Sequence, residues 1–296
     1  MAYRFQENPT FDIARFIAHQ EGLPLLVYHG IDERYPHASY RHHKFLLEGS
    51  RDLEQDAADL GVDYFLHVSR RGHRQPALRL LAEKAAVIVT DLVDLEPWSA
   101  WTENVAKKRT LIEVDAHCVL PRQVFGRSVD RPFKFKNATK RLINARKGLA
   151  WPEVNLPIKR LQDKALLPFV PVSATIELEK DGGISLLSQC DIDPTVVPVT
   201  DVCGGSKFAN LRWKNYVGDG LRSYHRTRND ASNREGVSGL SPWLHYGMIA
   251  ATKLVREADE IGGKGAEKFL DEMLLFREHA YHHCHALDSP GDWSAL

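Results

Sequence analysis

The first 120 residues alternate short apolar and β-branched runs with longer stretches of helical periodicity. Strands are predicted at residues 23–31, 64–68, 86–90 and 111–114, and helices at residues 38–60, 75–84 and 98–107. Such alternation is typical of a mainly parallel sheet that helices cover on both faces. The pattern therefore predicts a doubly wound parallel-sheet α/β domain over residues 1–125, although Asn8 and Pro9 already lead into a helix where a buried strand ordinarily comes first.

The rest of the chain is predicted to be mainly helical. A basic helix is predicted around residues 132–146, and a stretch rich in Pro, Asp and Gly follows it. From residue 209 onward helical periods dominate, with helices predicted at residues 211–225, 243–259 and 264–286. The sequence thus predicts an α/β domain, a connector with short helices at 126–205 and an all-α portion at 206–296.

Composition limits the classes of protein that the chain can join. Its 296 residues are 43% hydrophobic and 26% charged, as in soluble globular proteins. No apolar run approaches the roughly 18 to 20 residues that span a bilayer, and the first residues lack an apolar signal core, so we expect a cytoplasmic protein without a membrane partner. The four cysteines form no CxxC pair, which favours reduced thiols over a zinc cage or a disulfide framework.

The charge balance requires any nucleic-acid site to be local, because 39 basic residues offset 39 acidic ones. Two basic clusters are candidates. The first comprises Arg212, Lys214, Arg222, Arg226, Arg228 and Arg234, and the second Arg127, Arg131, Lys134, Lys136, Lys140 and Arg141. A solvated helix face is the alternative interpretation of each cluster.

Two runs near the C-terminus carry the candidate chemistry. In Ser-Gly-Leu-Ser-Pro-Trp-Leu-His-Tyr-Gly at residues 238–247, Pro242 stands at a helix-initiating position, so the preceding amides form an anion site or simply a capped helix start. In Phe-Leu-Asp-Glu-Met-Leu-Leu-Phe-Arg-Glu at residues 269–278, Glu272 and Phe276 are four residues apart and share a helix face toward one cavity. An exposed charge and a core aromatic are the alternatives for these two residues.

Together these runs resemble the DNA photolyase/cryptochrome family, and most closely its class II and class II-like bacterial members. The resemblance extends in order along the chain, through residues 6–14, 35–36, 41–47, 113–117 and 204–230. It implies a Rossmann-like antenna domain followed by a partial helical FAD-binding domain. It also implies reduced FAD as cofactor and an antenna chromophore of deazaflavin or folate type, between which the sequence does not choose.

The resemblance assigns roles to individual residues. The FAD diphosphate would be held by Tyr224 and by the backbone of Val237, Ser238, Gly239, Leu240 and Ser241, with Val237 where related families often carry Thr. Glu272 would be the catalytic acid, hydrogen-bonded to a damaged pyrimidine pair, and burial would raise its pKa. DNA would be contacted by Phe276, which replaces the more frequent Trp, and by Arg277, Arg226 and Arg228.

The activity implied is light-driven repair of cyclobutane pyrimidine dimers in DNA, although the sequence alone does not choose between cyclobutane and (6-4) lesions. The alternatives are a non-catalytic remnant or cryptochrome-like photosensor that binds flavin or DNA, and a nucleotide-binding enzyme unrelated to light. Compared with the family, the chain is expected to be truncated at both ends, lacking a first strand and the helices after the cluster at residues 288–293. We therefore expect a monomer if the protein is complete, self-association if it is not, and repair only when the missing helices are restored.

A row of histidines, His279, His282, His283 and His285, suggests a metal site because their spacing places them on one helix face. No acid or cysteine nearby in the sequence completes a geometry, so no metal is expected. The Gly262 to Gly265 stretch lacks the spacing of a phosphate-binding P-loop, and no dinucleotide fingerprint follows a strand.

Overall fold

The computed structural model describes residues 2–127, 129–163, 167–287 and 290–291. The strands are β1 (Leu26–Ile31), β2 (Asp63–Val68), β3 (Val87–Asp91) and β4 (Thr110–Val114). The helices of the first 150 residues are α1 (Pro9–Gln20), α2 (Tyr40–Leu60), α3 (Ala77–Lys84), α4 (Trp98–Ala106), α5 (Arg122–Phe125) and α6 (Pro132–Asn144). Those that follow are α7 (Ala174–Asp181), α8 (Ile184–Leu187), α9 (Ser206–Asp219), α10 (Tyr224–Thr227), α11 (Ser241–His245), α12 (Ala251–Ile261), α13 (Gly263–Asp271) and α14 (Glu278–His285).

The chain divides into two compact units, each assembled from separate stretches of sequence. The first comprises residues 1–90, 100–114 and 154–208, and the second residues 91–99, 115–153 and 209–296. The segment predicted as a connector, 126–205, is thus shared between the two units.

The first unit contains the predicted alternation of strands and helices. Strand β1 pairs in parallel with β2, from Leu26 opposite Asp63 to Ile31 opposite Val68, and β3 pairs with β4. In the described residues these are two separate two-stranded sheets, so one continuous doubly wound sheet stays a prediction. The N-terminal segment packs on the first pair, since the rings of Tyr3 and His29 lie 3.8 Å apart between centroids.

Local sequence sets the bounds of the long helix α2. The Ser39 side chain accepts a hydrogen bond from the backbone of His42 at its start, and Gly61 ends it in the left-handed conformation with φ of 67°. Its buried stripe includes Leu46, Leu47 and Leu53, which fixes the face that packs on the rest of the unit.

The second unit is helical and contains all of the predicted site residues. The single helix predicted at 243–259 is wrong, because α11 ends at His245 and α12 begins only at Ala251. Gly247 lies between them with φ of 61°, a left-handed conformation that interrupts helical hydrogen bonding.

The predicted helix at 264–286 is present, but its centre is not α-helical. Residues Glu272–Arg277 form a wider π-helical turn between α13 and α14, and the Glu278 amide donates to Met273 O, five residues back. The prediction that this stretch follows α-helical i, i+4 geometry throughout is therefore wrong. Such wide turns are frequent at functional sites.

Within the described ranges, no helix combines the length and apolarity needed to cross a membrane. Cys118, Cys190, Cys203 and Cys284 are free in the structure. In the cluster at 288–293, the described residues are 290 and 291, and the rest, including Trp293, lie outside the described ranges.

Candidate functional site

The candidate site is built around the short helix α10, which begins at Tyr224. A 3-10 turn, Leu221–Ser223, precedes it, and α13 packs directly on that turn at Gly265. A Cβ at Gly265 would lie 2.0 Å from Leu221 O, so only glycine permits this approach. The half-buried Tyr224 ring lies edge-on to Phe269 of α13, at 5.7 Å between centroids, and burial raises the pKa of Tyr224.

The turn from Val237 to Ser241 lies next to α10 and is held there by side chains. Thr227 Oγ1 donates to Gly236 O at 3.0 Å, and Arg212 Nε donates to Ser238 O at 2.8 Å. Gly239 takes the left-handed conformation, with φ of 66°. Successive amides in such a turn converge on one side of the backbone and form an anion-binding concavity.

Four amides of this turn are not used by hydrogen bonds within the described chain. Within the part of the chain that the structure describes, the N–H groups of Ser238, Gly239, Leu240 and Ser241 donate to no acceptor. The Arg212 guanidinium lies beside this turn. A Cβ added at Gly239 would be 3.5 Å from Arg212 Nε, which is ordinary van der Waals contact. Open amides and a nearby cation together suit a phosphate group.

Glu272, at the start of the π-helical turn, lies between two cations. Its Oε1 is 3.1 Å from Lys268 Nζ and 3.6 Å from Arg228 Nε, which connects α13 to the end of α10. Glu272 is half-buried, with its side chain 34% exposed, so its full burial stays a prediction. As the acid of two ion pairs, Glu272 presents acceptor oxygens to an approaching ligand.

Phe276 lies on the same face as Glu272 and is 46% exposed. Lys268 connects the two residues, because its Nζ also lies 5.6 Å from the centroid of the Phe276 ring. The acid and the aromatic ring therefore lie close to one cation, and the Phe276 side chain is partly exposed.

The two remaining predicted DNA contacts differ in accessibility. Arg226 on α10 is exposed. Arg277 instead points into the unit, where its Nη1 donates to His117 O at 2.8 Å and its guanidinium lies 4.7 Å from the centroid of Tyr281. Its side chain is only 16% exposed, so the structure does not support Arg277 as a direct DNA contact.

Residues 117–120, which we call the strap, run along α14 and are fastened to it by hydrogen bonds. The Glu278 carboxylate accepts the amides of Val119 at 2.9 Å and Leu120 at 3.1 Å. His282 Nε2 lies 2.9 Å from Leu120 O. Together with the bond from Arg277, these contacts fix the rotation of the helix just after the π-helical turn.

Burial dominates the electrostatics of this region. It raises the pKa of Glu278 to about 7, against the opposing effects of Arg277 and the two strap amides. Burial also raises the pKa of the Cys118 thiol well above its usual value, and the neighbouring Glu278 adds to that shift.

One histidine of the row lies close to an acid and a cysteine that are distant in the sequence. Cys118, Glu278 and His282 place ligand atoms within 4.8 Å of one another, so an acid and a cysteine do lie near one of these histidines. However, both carboxylate oxygens and His282 Nε2 already have hydrogen-bond partners in the strap. The other histidines also have contacts, such as His279 Nε2 with Val129 O at 2.7 Å.

A buried ion network anchors the start of the strap. Asp115 Oδ2 accepts from Arg122 Nε at 2.8 Å, and the Arg122 guanidinium also pairs with Asp94. Burial alone would raise the pKa of Asp115, but the hydrogen bonds and charge of Arg122 outweigh it and hold that pKa well below its usual range.

Sequence reasoning missed Glu278, Arg122 and the strap as structural partners. The run Glu-Val-Asp-Ala-His at residues 113–117 contributes to the family resemblance, but it does not predict the contact of the strap with Glu278. Glu278 and Val119 are 159 residues apart, and no periodicity connects positions at that separation.

Comparisons with known proteins agree on one family. No family model matches the chain. A deoxyribodipyrimidine photo-lyase of Methanothermobacter thermautotrophicus is 26% identical over 297 residues, covering 98% of this chain and 61% of that protein. One of Oryza sativa is 26% identical over 261 residues, covering 81% and 48%. A solved class III photolyase of Agrobacterium tumefaciens superposes with a TM-score of 0.63 at 15% identity, covering 95% and 56%.

The matches cover most of this chain but only part of each relative. They extend over most of this chain, yet the chain spans only about half to three fifths of the relatives' lengths. The names of these relatives do not test the predicted resemblance to class II members, and the solved structure is that of a class III photolyase.

Proposed function

The chain belongs to the DNA photolyase/cryptochrome family, and on that premise we propose that it acts in the light-driven repair of cyclobutane pyrimidine dimers in DNA with reduced FAD. The observation that carries the proposal is the juxtaposition around α10 in the second unit. The turn at residues 237–241, with Arg212 beside it, is bonded to this helix through Thr227, and Glu272, which shares Lys268 with the partly exposed Phe276, pairs with Arg228 at the end of the same helix.

The amide turn fits the diphosphate of FAD. Four N–H groups without an acceptor in the described chain, together with Arg212, match the charge and hydrogen-bonding capacity of a phosphate. Tyr224 provides a half-buried ring next to this turn. When bound, reduced FAD would supply the electron for splitting the dimer, while the protein binds, orients and excludes water.

The face formed by Lys268, Glu272 and Phe276 fits a flipped pyrimidine pair. Carboxylate oxygens accept hydrogen bonds from the N–H groups of pyrimidine bases, and an exposed ring stacks on their faces. Lys268 and Arg228 hold Glu272 in place from both sides. Arg226, exposed on the same helix as Tyr224, is the proposed contact to a neighbouring phosphate.

For the first unit we propose the antenna role that the resemblance implies. The parallel pairing of β1 with β2 and the alternation of strands with helices support a Rossmann-like, doubly wound arrangement. The pigment would be of deazaflavin or folate type, and the residues described offer no basis for choosing between them.

Repair is tested by dimer loss from an irradiated oligonucleotide under blue light with added reduced FAD, and a dark reaction is the control. Light-dependent loss of dimers supports repair by this chain. Because the chain spans about half the length of its relatives, the second candidate is a protein that binds flavin or DNA without repair. Retention of FAD and damaged DNA without turnover would favour that candidate.

Flavin binding is tested separately by equilibrium dialysis. We expect Gly239→Ala to weaken FAD retention, because a Cβ strains the left-handed turn whose amides bind the phosphate. Gly22→Ala is the matched control, since Gly22 also has a left-handed φ, of 62°, but lies in the first unit. If the wild-type chain binds no FAD even near about 1 mM, where binding is worth about 4 kcal/mol, the cofactor assignment is wrong.

DNA contact by α10 predicts a steep salt dependence. We expect the double variant Arg226→Ala and Arg228→Ala to weaken binding to a dimer-containing duplex and to reduce the slope of log K against log salt. An unchanged affinity and slope would show that this stretch is only a solvated face.

A further inference from the structure

Two buried carboxylates accept the four consecutive backbone amides of the strap, residues 117–120. Asp115 accepts the amides of residues 117 and 118 at 3.0 and 3.1 Å, and Glu278 accepts those of residues 119 and 120. Asp115 is in turn bonded to the buried Arg122. Because each amide of this short segment has a carboxylate acceptor, the strap is a firmly held reference for the helix that packs on it.

The helical segment that carries Phe276 is bound to the strap on both sides of that residue. On the N-terminal side, Leu274 packs against a core cluster that includes Leu120 of the strap. On the C-terminal side, Arg277 and Glu278 are hydrogen-bonded to strap backbone atoms. The strap therefore fixes the positions of the residues that flank Phe276.

The ring of Phe276 depends on its backbone for its direction. The side chain is 46% exposed, so much of its surface faces solvent instead of neighbours that would hold one rotamer. A shift of one helical position turns a side chain by about 100° around the helix axis. Glu278 also closes the π-helical turn that contains Phe276, because its amide donates to Met273 O, five residues back. The strap contact and the turn thus meet at Glu278.

We propose that Glu278 is a positioning residue, which holds the strap amides and thereby sets the direction in which the π-helical turn presents Phe276. Glu278 is 1% exposed, so it acts through Phe276 and not on a ligand. Its consequence rests on the proposed repair function: Phe276, with Glu272 and Lys268, forms the candidate lesion face, and a ring that points elsewhere cannot stack on a flipped pyrimidine pair.

The first experiment observes the ring directly, in the full chain and without DNA. The 12 phenylalanines are replaced with 4-fluorophenylalanine, and the fluorine-19 resonance of Phe276 is identified by its absence in Phe276→Ala. We expect Glu278→Gln, which offers one oxygen to two strap amides, to shift or broaden this resonance. The matched control Glu267→Gln, at an exposed position of α13, leaves the resonance unchanged.

His282 provides a second pair of variants, farther from the ring. Its Nε2 lies 2.9 Å from Leu120 O, so His282→Ala removes another bond between the helix and the strap. His282→Gln supplies a side-chain N–H that can donate to the same carbonyl. We expect His282→Ala to shift the Phe276 resonance and His282→Gln to restore it. This pair keeps the proposal testable if Glu278→Gln does not fold.

Binding to damaged and undamaged duplexes measures the consequence. Phe276→Ala removes a stacking surface, with an expected loss of about 5- to 150-fold in affinity for the damaged duplex. We expect Glu278→Gln to lower the ratio of damaged to undamaged affinity by about threefold or more within that limit. In the Phe276→Ala background the same substitution has no further effect on the ratio, because it acts through the ring. Affinity for the undamaged duplex stays at the wild-type value.

A Phe276 resonance that is unchanged in both Glu278→Gln and His282→Ala overturns the proposal. So does an effect of Glu278→Gln on the ratio that adds in full to that of Phe276→Ala, or an equal loss for both duplexes, because either result shows that Glu278 only stabilises the fold. The proposed function fails separately, if the wild-type chain does not prefer the damaged duplex. In that case the resonance still decides the positioning role.

Discussion

Replacing Glu278 with Gln tests whether the buried Glu278 side chain, which holds the strap on α14, makes the free energy of unfolding depend on pH. Glu278 is 1% exposed, and its pKa is raised from 4.5 to about 7. The folded state therefore binds this proton more tightly than the unfolded state does. The stability from this proton is fully present below about pH 4.5 and is lost as the pH rises through about 7.

The size of the effect follows from the shift. One pKa unit corresponds to about 1.4 kcal/mol, so the wild type loses about 3 kcal/mol of unfolding free energy from this group between about pH 4.5 and 8. Gln does not titrate, so the variant lacks this loss. It does leave one strap amide without an acceptor, because a Gln side chain offers one oxygen where Glu offers two, at a cost of about 1 to 3 kcal/mol.

Urea unfolding of both proteins from about pH 5 to about pH 8 measures the difference in unfolding free energy at each pH. We expect the variant to be the less stable protein at the acidic end and to gain about 3 kcal/mol relative to the wild type by the alkaline end. Glu267→Gln, at an exposed position of α13, is the control and should follow the wild type throughout. A difference between Glu278→Gln and wild type that stays constant with pH would refute the reasoning.

Two further predictions concern the ion network and the lesion face. Asp115→Asn should cost about 3 kcal/mol or more in urea unfolding near neutral pH, because the buried Arg122 loses the buried one of its two acid partners. Since the pKa of Asp115 is lowered, this difference should shrink as the pH falls below about 4, and a constant penalty would contradict the linkage. Phe276→Ala should reduce the preference for damaged over undamaged duplex by removing a stacking surface worth about 1 to 3 kcal/mol, whereas Phe16→Ala, a 53% exposed aromatic in the first unit, should leave it unchanged; equal preferences in all three proteins would remove Phe276 from the site.

Much of the local structure could be predicted because the signals are local. Strands β2, β3 and β4 lie within one residue of their predicted bounds, since β-branched runs and flanking turn residues mark them. Helix α2 likewise spans Tyr40–Leu60 where residues 38–60 were predicted, with Ser39 and Gly61 as its caps.

The features that were missed depend on contacts between distant residues. The π-helical turn is invisible to a periodicity analysis, because Glu272 and Phe276 match an α-helical pattern in the sequence. The partial exposure of Glu272 depends on Arg228, which is 44 positions away in the chain and is brought close by the packing of α13 on α10. The inward turn of Arg277 likewise requires His117, 160 residues distant.

The π-helical turn gives these separate observations a common physical reason. At its start, Glu272 pairs with Arg228 at the end of α10; after it, Glu278 and His282 are hydrogen-bonded to the strap. A helix with strictly α-helical turns would rotate residues 278 and 282 to a different angle, and both sets of contacts could not form without shifting one partner. The wide turn accommodates this difference in helix rotation. The hydrogen bond from Glu278 N to Met273 O, five residues back, is the π-helical bond that defines it. Because Phe276 lies within this turn, the orientation of its ring depends on both sets of contacts, and a change in the strap should be transmitted to the candidate lesion face.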